Sequence, residues 1–452
     1  MRGVGRPGDA ATPEALPAPG SLATTAWAVG LVVIALIAVS ALARTGDLIG
    51  TLLGDFPGPY GRRGLAWTAA YLLASLAVIG LAGRGALGIR FRGPALPLLI
   101  VTLAIAVRVA LAVVADAPLY DENAIVHEQA TGILDGACCF GHRPLGYPIV
   151  LAGAYALLGV GPSAIETLNI AFAAVTAWLV WEIGRITWGR PVAAVAATAY
   201  AVIPSQVLMA LVPLTEPVYT MLVAGVIRAG IALDRRPMLA IAAVCAALLA
   251  VSQHVRATAA PLLVPLALLP WLVGWPLRRT LLRGALIGAI FALLLVPVIA
   301  YNLSTHGDLS ISTSAYGGWS MYVGANREHG GQWNAEDAAR LAGFPGASWW
   351  ERSDHAGGLV VDRVMEDPLG SLTLLPTKFG TMWDSETYAA SYALRDGPIT
   401  REVHVGWLAS QLFWASIAVL ATLGMRAARC RGIYCGRGGR AHHRGRHSLR
   451  VL

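Results

Sequence analysis

Two adjacent carboxylic residues, Asp121 and Glu122, are the pair in this sequence best placed to do chemistry. They follow an apolar block at 95–115, so they lie at the surface of a membrane if that block crosses it. A partly desolvated carboxylate at such a boundary can accept a proton from an incoming hydroxyl group, which is the work of a general base. The structural alternative is that Asp121 caps the helix that continues to Leu134. The sequence leaves both interpretations open.

A third carboxylate, Glu216, stands in the run LTEP at the start of another apolar block. The following residue, Pro217, places Glu216 at a helix start, where the helix dipole favours negative charge. A charged side chain costs about 2.5–3.5 kcal/mol at the centre of a membrane, so such residues are usually retained for function. Glu216 is therefore either a functional carboxylate or one that is solvated among lipid headgroups.

Several cationic residues lie near the same predicted membrane surface. His254 and Arg256 fall at the turn between two apolar blocks, in SQHVRATAAP. A guanidinium group there can bind a lipid phosphate through two hydrogen bonds, or it can extend to the headgroups without a specific partner. Arg108 lies about two turns inside the block that precedes Asp121, where it can pair with a carboxylate or a lipid phosphate. The other cationic candidates for substrate binding are Arg143 and Lys378.

Composition indicates the elements that must position these residues. Hydrophobic residues make up 56% of the 452 residues and charged residues only 13%, whereas soluble domains carry roughly 25% charged residues. Apolar blocks of about 20 residues must be helical in lipid, because lipid cannot solvate a free backbone. The sequence predicts an all-α polytopic membrane protein with about ten spans, near 25–43, 64–83, 95–115, 163–186, 191–212, 217–234, 238–253, 258–275, 283–301 and 406–426.

The distribution of arginine residues predicts the orientation. The net charge of +8 comes almost wholly from arginines beside apolar blocks, which fits the positive-inside rule better than nucleic-acid binding. The short apolar stretch 148–160 decides which loops are cytoplasmic. If it does not span, most of the loop arginines and the basic tail lie inside, so we favour an interfacial helix there. This predicts cytoplasmic termini, a plasma (inner) membrane location, and Asp121 on the extracytoplasmic face.

The same pattern divides the chain into segments with different roles. We expect a flexible cytoplasmic arm, an N-terminal transmembrane hairpin, a transmembrane core with an outer loop at 116–162, an extracytoplasmic domain, a last transmembrane helix and a basic cytoplasmic tail. Their respective bounds are 1–22, 23–94, 95–301, 302–405, 406–428 and 429–452. Within the extracytoplasmic domain, the stretch AEDAARLA at 335–342 is typical of a helix.

No metal or cofactor site is predicted. The five cysteines form no legible disulfide framework, and Cys430, Cys435, His442 and His443 do not have the spacing of a zinc site. No nucleotide-sugar DxD motif or phosphate-binding P-loop is evident. A single carboxylate pair does not reveal whether a divalent metal is needed, so that possibility stays open.

Six short segments stand in an order that is typical of one enzyme family. They are Arg108 with the Asp121–Glu122 pair, RPLGYPIVLAGAYALLG (143–159), LTEP with Glu216, HVRATAAPLL with Arg256, YVGANREHGGQW (322–333) and VMEDPLGSLTLLPTKFGTMW (364–383). Across roughly 95–385 the chain resembles the GT-C glycosyltransferases that use polyprenyl-phosphate sugars. The resemblance is strongest to bacterial enzymes similar to dolichyl-phosphate-mannose protein mannosyltransferases, which include aminoarabinose and lipopolysaccharide-core galacturonosyl transferases.

The resemblance implies a fold, a reaction and a set of site residues. It implies a GT-C-like bundle with an extracytoplasmic first catalytic loop and a small outer domain that is α/β or irregular. It also implies an inverting transfer of a monosaccharide from a polyprenyl-phosphate donor to a glycolipid, cell-envelope glycan or protein, with membrane lipid as a further partner. Asp121 is implied as the base, with Glu122 second. The implied substrate-binding residues are Arg108, Arg143, Tyr147, Glu216, His254, Arg256 and Lys378.

The chain departs from the family pattern at three points, and other functions remain as alternatives. Leu145 stands where the family prefers a second proline, an extra hairpin precedes the core, and one span follows the outer domain instead of several. A transporter or flippase for a lipid-linked glycan is the main alternative, although the paired repeats common in transporters are not visible. A membrane scaffold without catalytic activity is the third.

Overall fold

Helices make up the fold. The computed structural model describes residues 21–87, 94–137, 143–235, 238–272, 275–346, 348–395 and 399–430. Seven helices in these ranges are long and apolar enough to cross a membrane: α1 (Ser21–Asp55), α2 (Pro59–Leu87), α3 (Ala95–Val114), α6 (Pro162–Thr187), α9 (Glu216–Arg235), α12 (Leu277–His306) and α18 (Arg401–Cys430). The shorter helices are α4 (Asp121–Leu134), α5 (Gly146–Leu158), α7 (Arg190–Val202), α8 (Pro204–Leu208), α10 (Leu239–Val255), α11 (Leu263–Leu272), α13 (Tyr316–Gly324), α14 (Ala335–Ala342), α15 (Trp349–Glu366), α16 (Pro368–Asp384) and α17 (Tyr388–Leu394).

Seven of the ten predicted spans lie on single helices long enough to cross a membrane in the described part of the chain. The other three are shorter or interrupted, and proline explains part of the difference. The predicted span 191–212 contains α7, which ends at Val202 because Pro204 forces the preceding residue into an extended conformation. From there to Glu216 the chain is irregular apart from α8, yet it is almost wholly buried. Irregular backbone at membrane depth is tolerated where protein, and not lipid, surrounds it.

Two further predicted spans, 238–253 and 258–275, also hold shorter apolar helices. α10 has 17 residues and α11 has 10, which correspond to about 26 Å and 15 Å at 1.5 Å per residue. A 3-10 turn at Pro261 precedes α11, and Pro270 lies inside it. Both helices pack against α12.

Small residues let the central helices approach closely. The buried side chains of α7 pack against α2, α3 and α6, and they are those of Ala193, Ala194, Ala197 and Ala201. Gly184 of α6 lies so close that a Cβ atom there would stand 2.7 Å from the Cα atom of Ala193. Contacts of this kind are typical of helix pairs in lipid, where backbone proximity replaces the hydrophobic driving force.

Helices α6 and α9 run in the same direction and define two ends of the bundle. At their C-terminal ends Arg228 lies 3.6 Å from the carboxylate of Glu182, and Arg235 donates a hydrogen bond to the carbonyl oxygen of Ile186. Glu216, the first residue of α9, therefore lies at the opposite end. α5 has 13 residues, about 20 Å, which is too short to cross the hydrocarbon core.

In the described part of 302–405, helices alternate with irregular stretches, and no strand is found there. The segment was predicted to be α/β or irregular, and the α/β alternative is wrong for the described residues, because helices and irregular stretches occupy them. The predicted helix at 335–342 is confirmed as α14, whose N-cap Asn334 accepts a hydrogen bond from the backbone of Asp337. α16 packs on α1, and α17 packs on α8 and α18, so this segment rests on the membrane helices.

The two ends of the chain lie almost wholly outside the described residues. This applies to the predicted arm 1–22 and to the predicted basic tail 429–452. Within the predicted hairpin 23–94, α1 and α2 are joined by a short turn in which Gly58 has φ +80°, a conformation that favours glycine. The last helix begins at Arg401, five residues before the predicted bound of 406.

Candidate functional site

Asp121 begins α4 after a short extended segment that follows α3. The segment is fixed by Asn123, whose side chain accepts a hydrogen bond from the backbone of Tyr120 at 2.6 Å and donates one to the carbonyl oxygen of Pro118 at 3.0 Å. Among the described residues, the Asp121 carboxylate accepts a hydrogen bond from the hydroxyl of Tyr392 at 3.1 Å and from no backbone N–H of α4. The alternative prediction that Asp121 is a helix cap is therefore wrong.

The backbone of Asp121 is strained. Its φ of +50° is the one positive value for a non-glycine residue in the described part of the chain. Aspartate tolerates this left-handed region better than most residues, but the conformation still costs free energy. Strain of this kind persists where surrounding contacts impose it, and it clusters at active sites. The observed strain supports a functional interpretation of Asp121.

Glu122 is held by partners from two distant parts of the chain. Arg143 forms an ion pair with one carboxylate oxygen, and Tyr388 donates a hydrogen bond to the other oxygen at 2.8 Å. The Arg143 guanidinium also lies over the ring of Tyr316, 4.4 Å from its centroid. Both oxygens of Glu122 are thus engaged.

Glu216 and Arg256 form a second ion pair. The two side chains are 2.5 Å apart, and the hydroxyl of Thr215 lies 3.3 Å from the same guanidinium nitrogen. Burial disfavours the charge on Arg256, but Glu216 outweighs that effect, with smaller contributions from Tyr388 and Glu122, and the pKa of Arg256 is raised. Arg256 is therefore a permanent cation within the electrostatic reach of Glu122.

The two ion pairs line one cavity of about 410 Å³, a size typical of small-molecule sites. The remaining lining is mixed, with apolar residues and hydroxyl groups. It consists of Val126, Pro144, Leu214, Thr215, Val255, Ala257, Thr258, Ser314, Tyr316, Gly317, Ser320 and Met321. Asp121 is not part of this lining. It lies next to Glu122 and is exposed.

Two tyrosines of α17 hold the carboxylate pair, and the sequence interpretation missed both. Tyr388 and Tyr392 lie one helical turn apart, with ring centroids 4.6 Å from each other, and they donate hydrogen bonds to Glu122 and Asp121 respectively. The ring of Tyr120 stacks on that of Tyr392. Desolvation and the nearby carboxylates raise the pKa of both α17 tyrosines, so both hydroxyls remain donors. Their spacing of four residues in TYAASYAL was the available signal.

Arg108 does not reach the carboxylate pair, which corrects the prediction that it binds there. It is fully buried and donates hydrogen bonds to the carbonyl oxygens of Ala104 at 3.0 Å and Ala201 at 3.1 Å. Its guanidinium lies 5.5 Å from the centroid of the Tyr200 ring. Arg108 faces α7 inside the bundle, so it joins α3 to α7 and has no access to a lipid headgroup.

Tyr147 is likewise buried, and its hydrogen bond is structural. Its hydroxyl donates to the side chain of Asn169 at 3.0 Å, and the amide of Asn169 donates to the carbonyl oxygen of Val212 at 2.8 Å. These bonds hold the irregular segment before α9. The predicted contact of Tyr147 with substrate is therefore replaced by a supporting role for the chain that leads to Glu216.

His254 and Lys378 are outside the cavity lining. His254 is half-buried, and a Cβ atom on Gly146 would stand 2.6 Å from its backbone, so it marks the contact of α10 with α5. Lys378 of α16 lies against Gly324 and Gly331, where added Cβ atoms would meet its side chain. The structure thus gathers Glu122, Arg143, Glu216 and Arg256 in one place and leaves these two predicted residues aside.

The structure contains a second, apolar cavity and shows no cluster of metal-binding side chains among the described residues. A second cavity, of about 610 Å³, is almost wholly apolar and lies between α2, α8, α17 and α18, with Arg401 and Glu402 in its wall. Within the described residues, no group of three or more His, Cys, Asp or Glu side chains is arranged to hold a metal ion.

Comparisons with known proteins are sparse. No family model matches the chain, and no curated protein matches it. Among solved structures, the chain is similar to the crystal structure of ArnT from Cupriavidus metallidurans bound to undecaprenyl phosphate, with 14% identity and a TM-score of 0.40. The match covers 75% of this chain and 64% of that chain, which is less than two thirds of the other protein's length. The function is therefore inferred from the site geometry.

Proposed function

We propose that this chain is a GT-C-type membrane glycosyltransferase. It transfers a monosaccharide from a polyprenyl-phosphate donor to a hydroxyl group of an acceptor at the extracytoplasmic membrane surface. The observation that carries the proposal is the convergence of Asp121 and Glu122 with the cations Arg143 and Arg256 at the ends of apolar helices.

The cations suit a phosphate leaving group. Each guanidinium has five N–H donors, and one carboxylate partner engages only some of them, so Arg143 and Arg256 can each still donate to phosphate oxygens. Their charge would stabilise the negative charge that develops on the leaving phosphate. The apolar cavity bounded by α17 and α18 is available to the polyprenyl chain.

The base is assigned to Asp121. Both oxygens of Glu122 are engaged by Arg143 and Tyr388, whereas Asp121 is exposed and accepts its hydrogen bond from Tyr392. In the proposed step the acceptor hydroxyl loses its proton to Asp121, and its oxygen forms a bond to the anomeric carbon. The bond from that carbon to the phosphate oxygen breaks, so polyprenyl phosphate leaves and the configuration inverts.

The experiment that tests the proposal follows the fate of the donor. Proteoliposomes with the full chain are given a polyprenyl-phosphate sugar with a radioactive sugar, together with an envelope lipid extract as acceptor. Conversion of donor to labelled acceptor and free polyprenyl phosphate supports transfer. Movement of intact donor across the bilayer without conversion contradicts the proposal and supports a transporter.

The orientation has its own prediction. In a chain otherwise lacking cysteine, Thr258→Cys is expected to react with a membrane-impermeant thiol reagent in intact cells, and Met238→Cys only after permeabilisation. Both positions are exposed, and they lie at opposite ends of α10. The physical reason is the arginine bias at the Met238 end, which holds that end in the cytoplasm. Labelling of Met238→Cys alone in intact cells would invert the proposed topology.

The hydrogen bond from Tyr392 to Asp121 predicts an effect on the rate of transfer. Tyr392→Phe is expected to lower kcat about tenfold, because a hydrogen bond to a charged group contributes about 1.5 kcal/mol. The donor KM should change little.

Tyr301→Phe is the matched control, since Tyr301 is an exposed tyrosine of α12 that does not line the cavity. If Tyr392→Phe lowers kcat by the same factor in a chain that carries Asp121→Asn as in the unchanged chain, Tyr392 does not act through Asp121.

A further inference from the structure

A second charged cavity lies at the end of the bundle opposite to the proposed transfer site. It has a volume of about 400 Å³ and is lined by three arginines and three apolar residues: Arg185, Ile186, Arg228, Ala232, Arg235 and Ile241. These residues come from the C-terminal ends of α6 and α9 and the start of α10. The proposed transfer reaction uses none of them.

The cavity carries excess positive charge. Arg185 donates two hydrogen bonds of 2.8 Å to Glu182, and Arg228 lies 3.6 Å from the same carboxylate. Arg235 donates to the carbonyl oxygen of Ile186. The cavity therefore holds three guanidinium groups, and the one carboxylate, Glu182, contacts only two of them. The neighbouring Asp234 does not neutralise them, because it pairs with Arg283 of α12 at 2.9 Å.

The guanidinium groups remain accessible. The side chains of Arg185 and Arg228 keep 43% and 33% of their surface exposed, whereas that of Glu182 keeps 15%. Glu182 is thus more buried than Arg185 and Arg228, and it holds both of them in place. The N–H groups of these arginines that Glu182 does not engage remain available to a ligand in the cavity. A fixed fork of this kind matches the oxygens of a phosphate group.

The position relative to the membrane excludes the sugar donor as the ligand. Arg235 is the last residue of α9 and Glu216 the first, so about 28 Å of helix separates them. A hydrocarbon core is about 30 Å thick. The arginine cavity therefore lies at the opposite membrane boundary from the transfer site, and Ile186 and Ile241 supply apolar surface beside it.

We propose that this cavity binds the phosphate headgroup of an anionic membrane phospholipid at the membrane face opposite to the transfer site. Basic pockets between helices on the cytoplasmic side are suited to such headgroups. The bound phosphate bridges the ends of α6 and α9, which otherwise bring three like charges together. The inference is independent of the reaction at the other end of the bundle.

The test compares lipids of different charge. The full chain is placed in nanodiscs of phosphatidylcholine, with or without phosphatidylglycerol. Phosphatidylglycerol is expected to raise Tm by about 5 °C and to be retained through purification, as measured by mass spectrometry. Inorganic phosphate added to the phosphatidylcholine discs should not reproduce the shift. Equal Tm values in the two lipids, or an equal shift with free phosphate, would overturn the proposal.

Variants locate the effect. Arg228→Gln with Arg235→Gln is expected to weaken phosphatidylglycerol retention about tenfold or more. Arg278→Gln with Arg279→Gln is the matched control, because these arginines begin α12 and lie outside the cavity lining. If the control pair loses retention equally, the attraction is general surface charge and the assigned site is wrong. The lipid comparison with the unchanged chain decides the proposal even if the double variant folds poorly.

Discussion

Asp121→Asn is expected to lower kcat for sugar transfer by about 10²- to 10⁴-fold and to leave the donor affinity nearly unchanged. Asparagine has the same size and also tolerates positive φ, so the strained backbone at this position should be preserved. The change removes the ability to accept the hydroxyl proton and little else. The measurement is single-turnover transfer with labelled donor, alongside a direct binding titration.

Asp135→Asn is the matched control, because Asp135 is an exposed aspartate at the other end of α4. Its transfer rate should equal that of the unchanged chain. Glu122→Gln separates the roles of the two carboxylates. It should raise the donor KM more than it lowers kcat, because Arg143 loses its ion-pair partner. A larger fall in kcat for Glu122→Gln than for Asp121→Asn would assign the base to Glu122.

Arg256→Gln is the second change with a large expected effect. It should lower kcat by about 10²- to 10³-fold, since one preorganised cation at the leaving phosphate contributes that much in comparable electrostatic sites. It should also weaken inhibition by free polyprenyl phosphate, which carries the charge that Arg256 is proposed to bind. Arg256→Lys should restore part of the rate, because it keeps the charge but loses the planar fork.

The control for this change is Arg327→Gln. Arg327 also pairs with a carboxylate, that of Asp367, but both lie among the helices after α12 and away from the cavity. Its kcat and its inhibition by polyprenyl phosphate should not change. Product inhibition that is the same in Arg256→Gln and the unchanged chain would exclude Arg256 from the phosphate site.

Four of the residues that the sequence singled out line one cavity, because they lie at the ends of apolar blocks. Glu122, Arg143, Glu216 and Arg256 all stand at such ends, and the ends that share a membrane face are brought together when the helices pack. The tyrosines of α17 could not be found in this way. Tyr388 is 266 residues from Glu122, in a segment whose packing depends on contacts with α8 and α18.

Arg108 and the interrupted spans show two other limits of prediction from hydropathy along the sequence. Hydropathy gives the depth of Arg108 but not the face of α3 on which it lies, and that face is turned toward Ala201 of α7. Each of the ten spans was predicted as one continuous helix, because hydropathy does not show where a helix is interrupted. Pro204 and Pro270 do not change the hydropathy much, yet they limit how far a helix can continue.

The left-handed backbone at position 121 restricts which amino acids that position can hold. Glycine, asparagine and aspartate are the residues that adopt such a conformation at least cost, and of these three only aspartate can take up a proton. If every amino acid is tested at position 121, folding and catalysis should therefore separate. Variants with Gly or Asn should fold and insert into the membrane without transfer activity, whereas variants with bulky or β-branched residues should fail to fold and insert. A related protein that has Gly or Asn at this position would therefore be expected to keep the fold and to lack transfer activity.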